Sequence, residues 1–88
     1  MPTVTMYSTQ VCPFCIRAER LLNARGVGDI VKIRIDLEPD LRRAMMARTG
    51  QRTVPQIFID DYHVGGYEEL VELDHAGRLA PMLAGEVR

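Results

Sequence analysis

The chain has 88 residues, 47% of them hydrophobic, a length that supports one core and not two. Lysine and arginine number 11 against 12 acidic residues, a formal net charge of -1, so no single-sign field is available to hold nucleic acid or an anionic membrane. Met1–Met6 lacks a basic segment followed by an apolar one, and no stretch approaches the roughly 18 apolar residues of a spanning helix. The expectation is a single soluble, cytoplasmic domain over residues 1–88, acting as a monomer.

Residues 3–7 alternate apolar and polar with β-branched content, which predicts a strand, followed by a loop over 8–11. From Pro13 to Arg25, Cys15, Ala18 and Leu22 recur at helical spacing with Leu21 beside them; Pro13 suits the first turn and Gly26 ends the helix. Strict alternation over 31–36 predicts a second strand with Val31, Ile33 and Ile35 on one face and a polar opposite face. Glu38-Pro39-Asp40 opens a second helix, in which Leu41, Ala44, Met45 and Arg48 follow at helical spacing until Gly50, with Arg42, Arg43 and Arg48 as a basic face. The apolar run Ile57-Phe58-Ile59 predicts a third strand over 56–60, turned by Asp60-Asp61 into a short fourth around 62–64. Gly65-Gly66 breaks the chain before a third helix carrying Leu70, Val71 and Leu73 and ending near Gly77, with a short segment over 79–83 beyond it. A right-handed crossover makes the first two strands parallel, and the hairpin adds an antiparallel pair. The fold class is therefore α/β, with a thioredoxin-like outline of a four-stranded mixed sheet flanked by helices.

Both cysteines lie in Cys12-Pro13-Phe14-Cys15, where the first loop enters the first helix. A bridge between such near neighbours closes too small a loop to staple a domain, which points to chemistry. Cys12 falls beside the unsatisfied N–H groups and positive dipole end of the helix, and both favour a thiolate. Such surroundings lower a thiol from about 8.5 to roughly 3.5–7.5, so Cys12 is the expected attacking sulfur. Cys15, nearly one turn further in, is expected to be less exposed and to act as the resolving sulfur. A structural zinc site would need two more ligands; His63 and His75 are twelve residues apart, unlike the usual close spacing, and are expected to be ordinary surface residues with no metal bound.

Two further stretches leave alternatives open. Thr53-Val54-Pro55 precedes the third strand either as a cis-proline turn that offers the Val54 backbone to an extended peptide, or as an ordinary turn. Gly65-Gly66-Tyr67-Glu68-Glu69 either presents helix N–H groups to a carboxylate or is a tight turn with acids placed for the helix dipole.

In order and spacing, these three stretches together resemble the dithiol glutaredoxin family, over essentially the whole chain. The resemblance implies a cis Pro55 and an anion site at the third helix. It also implies glutathione as co-substrate, with Thr53 and Val54 beside Pro55 holding its cysteinyl backbone, Gly66, Tyr67 and Glu68 receiving its γ-glutamyl end, and Arg42 reaching its glycyl carboxylate. Partners would be disulfide-containing or glutathionylated proteins. Phe14 keeps an aromatic wall where Tyr is commoner, Thr9 stands where the family commonly has Lys, and Glu68 and Glu69 replace shorter residues. Two other readings remain: an electron donor to ribonucleotide reductase reduced by thioredoxin reductase, and a glutathione-assisted iron-sulfur cluster carrier.

Overall fold

The structure, a computed structural model, describes residues 2–85. The alternation near the start becomes strand β1 (Val4–Ser8), whose Val4 and Met6 side chains enter one apolar cluster while Tyr7 enters another on the opposite face. Helix α1 (Pro13–Ala24) buries Cys15, Ala18 and Leu22, the seam expected from their spacing. It ends at Gly26, whose φ of +97° is cheap only without a side chain. Crossing back, the chain forms β2 (Ile30–Arg34), parallel to β1 with Val4 opposite Ile30 and Ser8 opposite Arg34.

The second strand begins and ends earlier than the alternation suggests. Ile30 packs on the cluster beneath α1, whereas Val31, pointing to the opposite face of an edge strand, is 49% exposed. Ile35 lies beyond the strand, yet it is buried, and its N–H donates to the Ser8 carbonyl at 3.0 Å. The supposedly polar face of β2 lies under α1: Lys32 pairs with Glu19 of that helix at 2.8 Å.

Helix α2 (Pro39–Thr49) covers the other side of the sheet with Met45, which packs with Tyr7, Ile35 and Phe58. Ala44 is exposed. Arg48 departs from the expected basic face. Its guanidinium lies 3.7 Å above the Phe58 ring, and Nη1 donates to the Tyr7 hydroxyl at 3.2 Å.

Strand β3 (Gln56–Ile59) is buried along its whole length, as a central strand covered on both faces must be. It runs antiparallel to β1 and pairs with β4 (Tyr62–Gly65), giving the sheet order β2-β1-β3-β4. Helices α3 (Tyr67–His75) and α4 (Leu79–Leu83) join α1 on one face through Leu70, Leu73, Leu79 and Met82. Burying side chains such as Leu22 and Leu70 contributes about 1.5–3 kcal/mol each. A bidentate ion pair, Arg25 to Asp74 at 2.6 and 2.8 Å, ties the end of α1 to α3; it holds the Asp74 carboxyl below its usual value.

This topology fixes where function can sit. Strands β1, β2 and β4 end, and β3 begins, at the same edge of the sheet, so the segments around 9–12, 35–38, 50–55 and 65–66 converge there.

Candidate active site

Cys12 is the N-cap of α1. Its backbone is extended, its carbonyl accepts the Ile16 N–H at 3.1 Å, and its sulfur accepts the Cys15 N–H, also at 3.1 Å. Pro13 takes the first helical position, where a missing N–H costs nothing. The two sulfurs are joined as a disulfide across a Cα separation of 5.2 Å. Exposure hardly separates them, at 7% and 5%, contrary to the expected difference in this disulfide form. The asymmetry is electrostatic instead: Cys12 receives a helix N–H and the dipole, which favours charge on that sulfur once the bridge is reduced.

A cleft of about 190 Å³ opens beside the cysteines, lined by Phe14, Thr53, Val54, Pro55, Gly66, Tyr67, Glu68 and Glu69. The Val54–Pro55 bond is cis. Phe14, half-exposed, tilts against Tyr67 with ring centroids 5.9 Å apart, and the Arg17 guanidinium lies 5.3 Å from the Phe14 centroid. The sequence-predicted Thr53, Val54, Pro55, Gly66, Tyr67 and Glu68 are thus brought together. Arg42 is not in the cleft wall; it is exposed and donates to the Arg52 carbonyl at 3.3 Å, one residue before Thr53.

The α3 entrance shows the second of its sequence alternatives, an acid placed at the start of the helix. Glu69 folds back so that Oε1 accepts the Gly66 N–H at 2.8 Å, an acid capping its own helix. Glycine at 65 follows from this fold-back: an added Cβ would stand 2.9 Å from Glu69 Oε1, and φ there is +113°. One of the amides expected to meet an external carboxylate is therefore already engaged.

Behind the cysteines lies a second crevice of about 220 Å³, which holds Thr9, Glu19, Lys32 and Arg34. Sequence reasoning missed Lys32 and Arg34, because their approach to Cys12 and Cys15 depends on the β1–β2 register. Both cations are paired: Lys32 with Glu19, and Arg34 with Asp36 at 2.7 and 2.6 Å. The guanidinium beside it pulls the Asp36 carboxyl down to about 2. Asp36 Oδ2 also accepts the Gln10 N–H at 3.3 Å, fastening the loop before Cys12.

His63 is not an ordinary surface residue. It is half-buried, stacks on Phe58 at 4.8 Å and meets Gln56 Oε1 at 2.7 Å. Burial and the nearby Arg48 charge lower its pKa, against an opposing effect of Glu69. Among the described residues, no three His, Cys, Asp or Glu side chains are gathered as a metal site. A larger cleft, about 650 Å³, lies at the opposite end of the sheet between Val4, Val27, Val31 and Leu83, but its lining carries no thiol.

A cysteine pair at the mouth of a helix, on a thioredoxin-like mixed sheet, defines a thiol-disulfide oxidoreductase. The glutaredoxin family model matches residues 4–64. Glutaredoxin of Neisseria meningitidis serogroup B is 49% identical over 83 residues, covering 94% of this chain and 98% of that protein. Glutaredoxin 3 of Escherichia coli is 43% identical over 83 residues, covering 94% and 99%. The solved buckwheat glutaredoxin-glutathione complex superposes with a TM-score of 0.85 at 33% identity, covering 99% of this chain and 83% of that one. Glutaredoxin from Brucella melitensis superposes with a TM-score of 0.81 at 37% identity, covering 100% and 96%. The chain belongs to the glutaredoxin family.

Proposed function

We propose that this oxidoreductase uses glutathione to reduce glutathione mixed disulfides and protein disulfides in the cytoplasm, as a monomer. The observation that carries the reading is the Cys12 sulfur, bonded to the Cys15 N–H, next to the cleft between Thr53–Pro55 and Gly66–Glu68. The buckwheat relative was solved with glutathione, which supports glutathione as the occupant here.

On a mixed disulfide, the Cys12 thiolate attacks the glutathione sulfur. A Cys12–glutathione disulfide forms and the substrate leaves as a thiolate. A second glutathione thiolate then attacks the glutathione sulfur of that bond, releasing glutathione disulfide and the Cys12 thiolate. On a protein disulfide, Cys12 forms a bond to the substrate, and Cys15, deprotonated, attacks the Cys12 sulfur. The substrate leaves as a dithiol and the enzyme is left with its Cys12–Cys15 bridge, which two glutathiones reduce to glutathione disulfide.

Thr53 and Val54 beside Pro55 are assigned to the cysteinyl backbone of glutathione, and Phe14 and Tyr67 to the wall around its sulfur. Tyr67 and Glu68 with Gly66 are assigned to the γ-glutamyl end, Arg42 to the glycyl carboxylate. The relatives found do not favour the ribonucleotide reductase donor or the cluster carrier. A glutathione-coupled assay on a small mixed disulfide tests the reading. Saturable turnover is expected; turnover with thioredoxin reductase but none with glutathione would overturn it.

A further inference from the structure

Gln56 is one of two buried polar residues among those described, and the thiol chemistry gives it no task. Its Nε2 donates to the Thr53 carbonyl at 3.1 Å and approaches Thr53 Oγ1 at 3.4 Å. That leaves Oε1, which can only accept, facing His63 Nε2 at 2.7 Å. His63 must therefore carry its proton on Nε2. A flipped Gln56 amide would set Oε1 against the Thr53 carbonyl, two acceptors in contact, so the proton on His63 decides which way the amide points.

We propose that His63 and Gln56 are positioning residues that hold the Thr53–Val54 segment in its substrate-binding geometry through this hydrogen-bond chain. The inference rests on the glutathione reading of that segment. The chain has a rigid base. The His63 ring stacks on Phe58 at 4.8 Å with 24° between the planes, Arg48 covers Phe58, and Arg48 is itself fixed by the Tyr7 hydroxyl. Gln56 belongs to the central strand and His63 to its hairpin partner, so both ends are anchored in the sheet. The charged groups facing His63 are Arg48 from α2 and Glu69 from α3; burial and Arg48 outweigh Glu69 and favour the neutral ring. The chain requires a proton on Nε2, and in the neutral ring that means the Nε2–H tautomer with Nδ1 bare. Because the chain ends on a carbonyl of the binding segment and reaches neither sulfur, it governs substrate KM and leaves Cys12 reactivity alone.

Gln56→Glu separates the two ends of the chain, since a carboxylate still accepts from His63 but can no longer donate to Thr53. His63→Phe keeps the stack on Phe58 and removes the donor. In the glutathione-coupled assay, Gln56→Glu should raise KM for the mixed disulfide about five- to tenfold and His63→Phe about threefold. In both, kcat should stay within about twofold of the wild type, and the iodoacetamide alkylation rate of reduced Cys12 should not change. Nitrogen-15 spectra of the wild type should show His63 protonated on Nε2 and bare on Nδ1, a readout independent of how either variant folds. The opposite tautomer overturns the proposal, as do unchanged KM values in an active enzyme or losses spread equally over KM, kcat and alkylation. If the wild type itself fails to turn over glutathione, the functional reading falls and this inference falls with it.

Discussion

Replacing Thr9 with lysine tests how the loop over 9–12 presents charge to the nucleophile. Thr9 lines the crevice that also holds Cys12 and Cys15, and its own hydroxyl makes only a weak local bond, to the Val11 carbonyl at 3.3 Å. The substitution therefore removes little and adds one cation. At a separation of about 7 Å, the attraction to a Cys12 thiolate is about 2.4 kcal/mol at an effective dielectric near 20 and about 0.6 kcal/mol near 80. Two observations select the lower value. Residue 9 is only half-buried, and Glu19 and Asp36, the acids that already neutralise Lys32 and Arg34, compete for a new ammonium. About 0.6 kcal/mol moves the thiolate titration down by about half a pH unit. The reaction rate should gain less than the thiolate fraction does, because nucleophilicity falls with basicity at a slope of about 0.4–0.5. Thiolate absorbance of both reduced proteins, titrated in low salt and near 1 M salt, where screening acts over about 3 Å, measures the effect. Curves that coincide at low salt would refute the placement of residue 9 within reach of the Cys12 sulfur.

Other consequences can be checked with the same material. Cys12→Ser should abolish reduction of both substrate types, whereas Cys15→Ser should retain turnover of glutathione mixed disulfides; equal loss in the coupled assay would overturn the division of roles. Arg42→Ala should raise the apparent KM for glutathione several-fold, on the order of 1 kcal/mol for one exposed charge contact, with little change in melting temperature. An unchanged glutathione saturation curve would leave Arg42 as a surface charge bonded to Arg52. Because the Asp36 carboxyl falls from 3.8 to about 2, its contribution to stability is complete above the higher value and is lost as pH drops through the lower. Denaturant unfolding of the wild type should thus weaken more steeply than that of Asp36→Asn between those two values, and parallel decline would count against the Arg34 pairing.

Local signals carried the sequence reading where the cause is local. Cys12-Pro13-Phe14-Cys15 was legible because a proline at the first helical turn and the Cys15, Ala18, Leu22 spacing are both properties of one segment. The central strand was equally plain in Ile57-Phe58-Ile59, an apolar run that only burial on both faces accommodates. What escaped depends on partners far along the chain. Lys32 looked like half of a solvent-facing alternation, since nothing near it announces Glu19 on the overlying helix. Arg48 was read by its charge, although a guanidinium can cover an aromatic face, and Phe58 arrives there only through the sheet. His63 reads as an ordinary surface residue for the same reason: only the hairpin sets Phe58 opposite it and brings Gln56 within reach. Glu69 was visible as an acid at a helix start, but whether such an acid faces solvent or turns back to the Gly66 N–H is decided by the loop geometry at Gly65.

That turned-back carboxylate bears on how a peptide would lie in the proposed cleft. One end of the cleft carries Glu68 and Glu69, and the segment at its other side is flanked by Arg42 against the Arg52 carbonyl. A γ-glutamyl group brings a carboxylate and an ammonium on the same carbon, whereas a glycyl end brings a carboxylate alone. Placed at α3, the γ-glutamyl carboxylate can use the Tyr67 and Glu68 amides and the helix dipole while its ammonium faces the two acids. A lone carboxylate there would meet Glu68 and Glu69 with no counter-charge, and the Gly66 amide is already occupied by Glu69. The reversed orientation also sets the ammonium toward Arg42. Both mismatches oppose it, so under the proposed glutathione reading charge sets the direction of the peptide along the cleft.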